Sequence, residues 1–166
     1  DDDINIYGTT FWTHPPFFNT QDAKMCINDY NWISYFNKSR NRVVNLDISY
    51  VKELSKQSHD KLKLYLNETN KKTIVMTHFP PLRSKTSDPK YLLERNITKF
   101  YFSWPDNTLD NFNLNNVSTF ISGHTHWSYD FNDKNTRFIS NQLGYKSEIG
   151  KTGLNEDGLY EIEIIS

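Results

Sequence analysis

The sequence predicts an α/β domain with a mostly strand core and helices outside it, and three observations carry that prediction. Residues 73–76 and 117–121 are apolar runs with the length and β-branched content of buried strands. Each of these runs delivers histidine just past its C-terminal end, at His78 and at His124 and His126. Ahead of the first run, Val51, Leu54, Leu62, Leu64 and Leu66 fall mostly near helical spacing, with Lys and Glu between them. Asp47 or Ser49 can cap the start of that helix. Parallel strands joined through a helix form the usual α/β crossover, and ligands gather at the carboxyl ends of such strands.

A length of 166 residues suits one domain and is enough to bury a real core. An aromatic content of 15% excludes a disordered chain. The net charge of −1 argues against a large nucleic-acid-binding face, which is usually strongly basic. The sequence has no apolar run of the roughly 18 residues that a membrane span needs, and no signal peptide is visible. The single cysteine, Cys26, excludes an intramolecular disulfide and fits a reducing, cytoplasmic compartment. Sequons at Asn37, Asn67, Asn96 and Asn116 are expected by chance in a chain this rich in asparagine.

In chain order, an acidic lead-in, Asp1 to Asp3, precedes a short strand over residues 4–7 that Gly8 breaks. Residues 9–12 stay β-prone until Thr13-His14-Pro15-Pro16 ends the run. His14 reads as a rim or surface residue. Residues 21–36 read as a loop and short helix whose aromatics pack together, since only Lys24 offers the positive charge that a base-stacking groove needs. Residues 42–47 form a short strand or extended link. His59, within the helix, is a packing or solvated residue. The long connection over residues 79–116, with residues 91–102 helical, suits a lid or substrate wall. Residues 127–131 and 136–140 pair about a turn at 132–135, four glycines punctuate the loop that follows, and residues 159–164 alternate as a last strand.

The chemistry centres on Phe120-Ile121-Ser122-Gly123-His124-Thr125-His126-Trp127. Gly123 allows a tight turn or close approach to a ligand. Residues i and i+2 can face the same way, so both imidazoles can address one centre or two adjacent ones. Two histidines alone do not hold a catalytic metal, because such sites take about three or more protein ligands. The pair either caps a strand and bonds loop carbonyls, or joins a third ligand. His78, in Thr77-His78-Phe79-Pro80-Pro81, repeats the same grammar and supplies that third ligand. Arg83 lies close enough to His78 in sequence to meet a phosphate oxygen, and serves equally well as a surface arginine.

Thr77-His78 with its prolines, followed by Gly123-His124-Thr125-His126, resembles the last two motifs of the calcineurin-like metallophosphoesterases. Tyr7-Gly8-Thr9-Thr10-Phe11-Trp12 and Ser140-Asn141-Gln142-Leu143-Gly144-Tyr145 are similar to further segments of that family, so the resemblance spans roughly residues 4–164. Phe79 stands where many members carry a second histidine, and Gln142 stands where proline is frequent. The family's D-x-H, G-D and G-N-H-[DE] motifs are absent and belong upstream of residue 1. The resemblance therefore implies half of a two-sheet β-sandwich flanked by helices, with an apolar face to be covered by the missing half, a second copy or another protein. It implies two divalent metal ions, manganese, iron or zinc, with His78 and His124 on the second and His126 on the first. Gly123 would shape the loop against them, and Arg83 is the candidate catalytic and substrate-binding cation.

The activity that follows is metal-dependent phosphoester hydrolysis, with a phosphoester as substrate and with this chain alone slow or inactive. The alternative is a non-catalytic remnant or assembly subunit that keeps the fold.

Overall fold

The computed structural model describes residues 4–13, 19–93, 98–158 and 160–162. Its centre is a five-stranded sheet in the order β1-β4-β5-β7-β6, built from β1 (Ile4–Thr9), β4 (Lys72–Thr77), β5 (Val117–Ser122), β6 (Tyr129–Asp133) and β7 (Thr136–Ser140). The pairings β1–β4, β4–β5 and β5–β7 are parallel, and β6 closes the edge antiparallel to β7. The hairpin β2 (Ser34–Asn37) and β3 (Arg42–Asn45) forms a separate two-stranded sheet. The expected α/β class is thus observed.

Helix α3 (Ile48–Glu68) is the crossover that returns the chain to β4. Asp47 caps it by accepting a hydrogen bond from the Tyr50 N–H. Its Leu62 and Leu66 join Val75, Phe120 and Phe138 of the sheet in one buried cluster. Leu64 points out of that stripe and is exposed, because it lies about 200° around the helix from Leu62, at 100° per residue. A second cluster joins Trp12, Tyr30, Val51, Phe79 and Tyr101. Its helices α1 (Thr20–Cys26) and α2 (Asp29–Trp32) occupy the stretch expected to be a loop and one short helix. Packing of the aromatics there holds for Tyr30, which is buried, and for Tyr35, which stacks on Tyr50 at 3.7 Å, whereas Trp32 stays exposed.

Gly8 does not break β1. It pairs in register with Met76, and no heavy atom lies within 4 Å of a Cβ built there. The turn after β6 is a two-residue loop in which Lys134 takes a positive φ of 53°. Gly144, Gly150, Gly153 and Gly158 all adopt positive φ, so the glycine-punctuated loop is as expected. Of the expected helix over residues 91–102, only the helix α4 (Lys99–Phe102) and a 3-10 turn at Pro89–Leu92 are formed, and residues 94–97 lie outside the described residues. Residues 160–162 are not in a strand, while Leu159 and Glu163 onward lie outside the described residues, as do Asp1 to Asp3 and His14.

The sheet is covered unequally. Val75 and Phe120 face the core, while Ile6 and Met76, on the opposite face, remain 68% and 45% exposed. That one-sided burial is the arrangement expected for half of a sandwich. It predicts that Phe120→Ala will cost about 3–5 kcal/mol in urea denaturation, while Ile6→Ser will stay within about 0.5 kcal/mol.

Candidate metal centre

Adjacent parallel strands end together, and that brings the histidines together. Thr77 of β4 is registered with Ser122 of β5, so the residues that follow emerge side by side. The pairing continues one step past the strands, where the Gly123 N–H donates to the His78 carbonyl at 3.1 Å. His78 Nε2 and His124 Nδ1 then lie 3.0 Å apart. Asp29, in the first turn of α2, completes a group of three: one donor atom each from Asp29, His78 and His124 lies within 4.8 Å of the others. Donors on one tetrahedral ion with bonds of about 2.1 Å lie roughly 3.4 Å apart, so the more distant of these would close by about 1 Å to share one ion. Two nitrogens and a carboxylate oxygen suit first-row divalent metals.

The electrostatics fit the same use. Burial holds His78 below the usual histidine range, against an opposing pull from Asp29. His124 is pushed down to about 3, first by burial and then by the His78 and His126 rings. Both rings are therefore neutral at pH 7, the form that binds metal. His124 Nε2 is sealed from solvent on the side of the ring away from His78, which leaves Nδ1 as the nitrogen turned to the group. Phe79, in place of a second histidine, is fully buried with its ring centroid 4.0 Å from that of His124 and 5.0 Å from that of His78, so it forms an apolar bed for both.

The loop itself is strained at its histidines. Gly123 was expected to allow a tight turn or a close approach to a ligand; a Cβ there would meet His78 at an ordinary 3.8 Å, and its φ is not in the left-handed region. Positive φ falls instead on His124 (69°) and His126 (52°). The Thr125 N–H donates to the Gly123 carbonyl at 2.8 Å, closing a three-residue turn centred on His124. Such positive-φ turns are rare and strained, and they persist where the surroundings over-determine them. Gln142 provides part of that constraint. Its Oε1 accepts from the His126 N–H at 2.8 Å, and its Nε2 lies within hydrogen-bond reach of Thr125 Oγ1, the Trp127 carbonyl and Ser140 Oγ.

His126 has a different partner. Its Nδ1 lies 2.7 Å from Glu148 Oε2, and that carboxylate also accepts the Tyr145 N–H. The Tyr145 amide, then the His126 ring, hold Glu148 below the usual glutamate range. Among the described residues no second three-donor group forms around His126. Arg83 is not brought to the site. Its guanidinium lies 4.7 Å from the Phe100 ring and reaches the Ser103 carbonyl, and it does not line the cavity described next. Asp29, Gln142 and Glu148 were missed by the sequence reading. A carboxylate in a helix's first turn reads as complementing the helix dipole, and nothing local marks it as a ligand.

Asp29, His78, His124 and His126 line one cavity of about 720 Å³, walled by the α1–α2 segment and by residues 142–152. Asn28 Nδ2 donates to the Tyr145 hydroxyl at 3.2 Å, tying the two walls together. Lys90 and Lys151 add positive charge to the lining.

No family model matches the chain. It is 28% identical over 153 residues, 89% of this chain and 52% of the other, to the uncharacterized protein L509 of Acanthamoeba polyphaga mimivirus. The chain thus spans about half the length of that relative. In structure it is similar to the phosphopantetheinyl hydrolase of Mycobacterium tuberculosis, at a TM-score of 0.44 and 15% identity, over 84% of this chain and 48% of that one. A likeness of that degree leaves the chemistry to be judged from the site's own geometry.

Two outcomes follow. Gln142→Leu keeps the volume but strips the loop of its clasp, and should cost about 1–3 kcal/mol, with faster amide exchange at His126. In chelator, stability should fall with acid. His124 has a folded value near 3 against an ordinary 6.5, so below pH 6.5 the unfolded chain gains a proton that the folded chain refuses until about pH 3. The stabilisation is complete above 6.5 and lost across that window. His124→Gln should flatten the dependence of the urea midpoint on pH.

Proposed function

We propose that the protein is a divalent-metal-dependent phosphoester hydrolase, a phosphatase or phosphodiesterase of the calcineurin-like type. The observation that carries this reading is the convergence of Asp29 with His78 and His124, the two histidines at the carboxyl ends of adjacent parallel strands, inside one cavity. The motif resemblance of Thr77-His78 and Gly123-His124-Thr125-His126 supports the same reading.

In this reading Asp29, His78 and His124 hold one ion, and His126 contributes to a second whose further ligands come from the family's upstream motifs. Manganese, iron and zinc all suit such ligands. When bound, these ions polarise the phosphoryl oxygen and lower the pKa of a coordinated water. The chain's own residues supply position and charge. Glu148 fixes the His126 ring through Nδ1, which leaves Nε2 as its ligating atom. Gln142 and the β4–β5 ladder hold the two loops in register. Lys90 and Lys151 attract the anionic substrate, Lys90 while paired with Asp88. Arg83, outside the cavity lining, has no part in this scheme.

A second reading, a non-catalytic assembly subunit, draws on the exposed apolar sheet face at Ile6 and Met76, which the missing half, a second copy or another protein would cover. Manganese titration calorimetry beside hydrolysis of bis(p-nitrophenyl) phosphate separates the two. The hydrolase reading expects manganese binding by this chain with turnover slow or absent, and a faster, EDTA-sensitive rate once the upstream motifs are joined to it. Asp29→Asn and His124→Ala should each weaken metal binding by more than the roughly 10–100-fold typical of groups one shell further out. A wild-type protein that binds no manganese, or variants that bind it equally well, would refute the metal centre.

A further inference from the structure

Building on the hydrolase reading, we propose that this cavity takes a phosphoester whose alcohol part is bulky and apolar, an aryl group or one of similar hydrophobicity, in preference to a sugar or another polar alcohol. Five of the twelve large hydrophobic side chains exposed among the described residues line this one cavity: Met25, Trp32, Ile33, Leu143 and Tyr145. Trp32 is 73% exposed, Met25 68% and Leu143 56%, although an apolar surface of this kind gains free energy by being covered. Three of the five come from the α1–α2 wall and two from the 142–152 wall, so a group held between the walls would meet apolar surface from both. The volume, about 720 Å³, leaves room for an organic group beside the phosphoryl group.

Four polar side chains of the lining are engaged elsewhere. Asn28 donates to the Tyr145 hydroxyl, Gln142 is committed to the His126 loop, Glu148 to His126 and Tyr145, and Asp88 to Lys90. A sugar needs several hydrogen-bonding groups to replace water at its hydroxyls, and beyond the two lysines and the Thr152 hydroxyl the lining offers few. An apolar ring needs only the exposed faces of Trp32 and its neighbours.

Phosphonates test this without the influence of leaving-group chemistry, because their C–P bonds are not hydrolysed. Binding of methylphosphonate and of (1-naphthyl)methylphosphonate to the manganese-loaded protein would be measured by calorimetry. The naphthyl compound should bind at least about tenfold tighter, since burying an aromatic ring is worth that much or more. Trp32→Ala, at a solvent-exposed position, should remove most of that advantage and leave methylphosphonate binding unchanged. Equal affinity for the two compounds, or an advantage that survives Trp32→Ala, would overturn the apolar subsite and leave the hydrolase reading intact. Failure of both compounds to bind would overturn the subsite and the hydrolase reading together.

Discussion

The site depends on one lateral pairing. β4 and β5 run parallel in register, and their ladder extends beyond the strands through the Gly123 N–H to the His78 carbonyl. Parallel strands point their carboxyl ends the same way, so whatever follows each strand is delivered to the same edge of the sheet. A slip of one residue would turn every side chain of β5 to the other face, expose Phe120 and carry His124 away from His78. The packing of Phe120 with Val75, Leu62 and Leu66 therefore fixes the relation between the two histidines as well as the core. Stability and site geometry are two consequences of one register.

What the ladder sets approximately, local strain and polar clasps set finely. Two histidines with positive φ would relax in an isolated peptide. Gln142 holds the loop by its backbone and by the neighbouring threonine, and Phe79 limits the rings from below. Proline, frequent at the Gln142 position in the family this chain resembles, could make none of those side-chain bonds. Gln142 instead adds side-chain hydrogen bonding to a loop that the β4–β5 ladder and Phe79 also constrain.

The fold class, the central strands, the crossover helix and its Asp47 cap were legible in the sequence because each rests on local pattern, on runs of apolar residues and on capping chemistry. The pairing of His78 with His124 was legible for a related reason, since two strands ending in histidine converge once they are neighbours. Asp29 was not legible. It reaches the histidines through the packing of the α1–α2 segment around Tyr30 and Phe79, a contact between residues 29 and 78 that no local pattern encodes. Gly123 begins the turn without taking its left-handed conformation. A glycine beside a turn suggests left-handed backbone, yet tertiary contacts placed that conformation on the histidines that follow. Arg83 was close to His78 in sequence, but Asp106 takes its backbone N–H and its guanidinium lies over Phe100, outside the cavity lining.

The three histidines of the motif pair end in unlike environments, and the difference bears on how metal would be taken up. His78 and His124 share an apolar bed, and burial keeps both neutral. Folding has already desolvated the His124 ring, and a cation arriving there finds ligands that need not release protons near neutral pH. Asp29 adds the negative charge that two neutral rings lack, which matters because a bare dication in a partly buried pocket is costly without a carboxylate partner. His126 stands apart, its Nδ1 committed to Glu148 and its backbone to Gln142. A ring oriented through one nitrogen is prepared to ligate through the other, but within the described residues it lacks companions for a closed shell. The group that could hold an ion is therefore Asp29–His78–His124, and among the described residues His126 belongs to no such group.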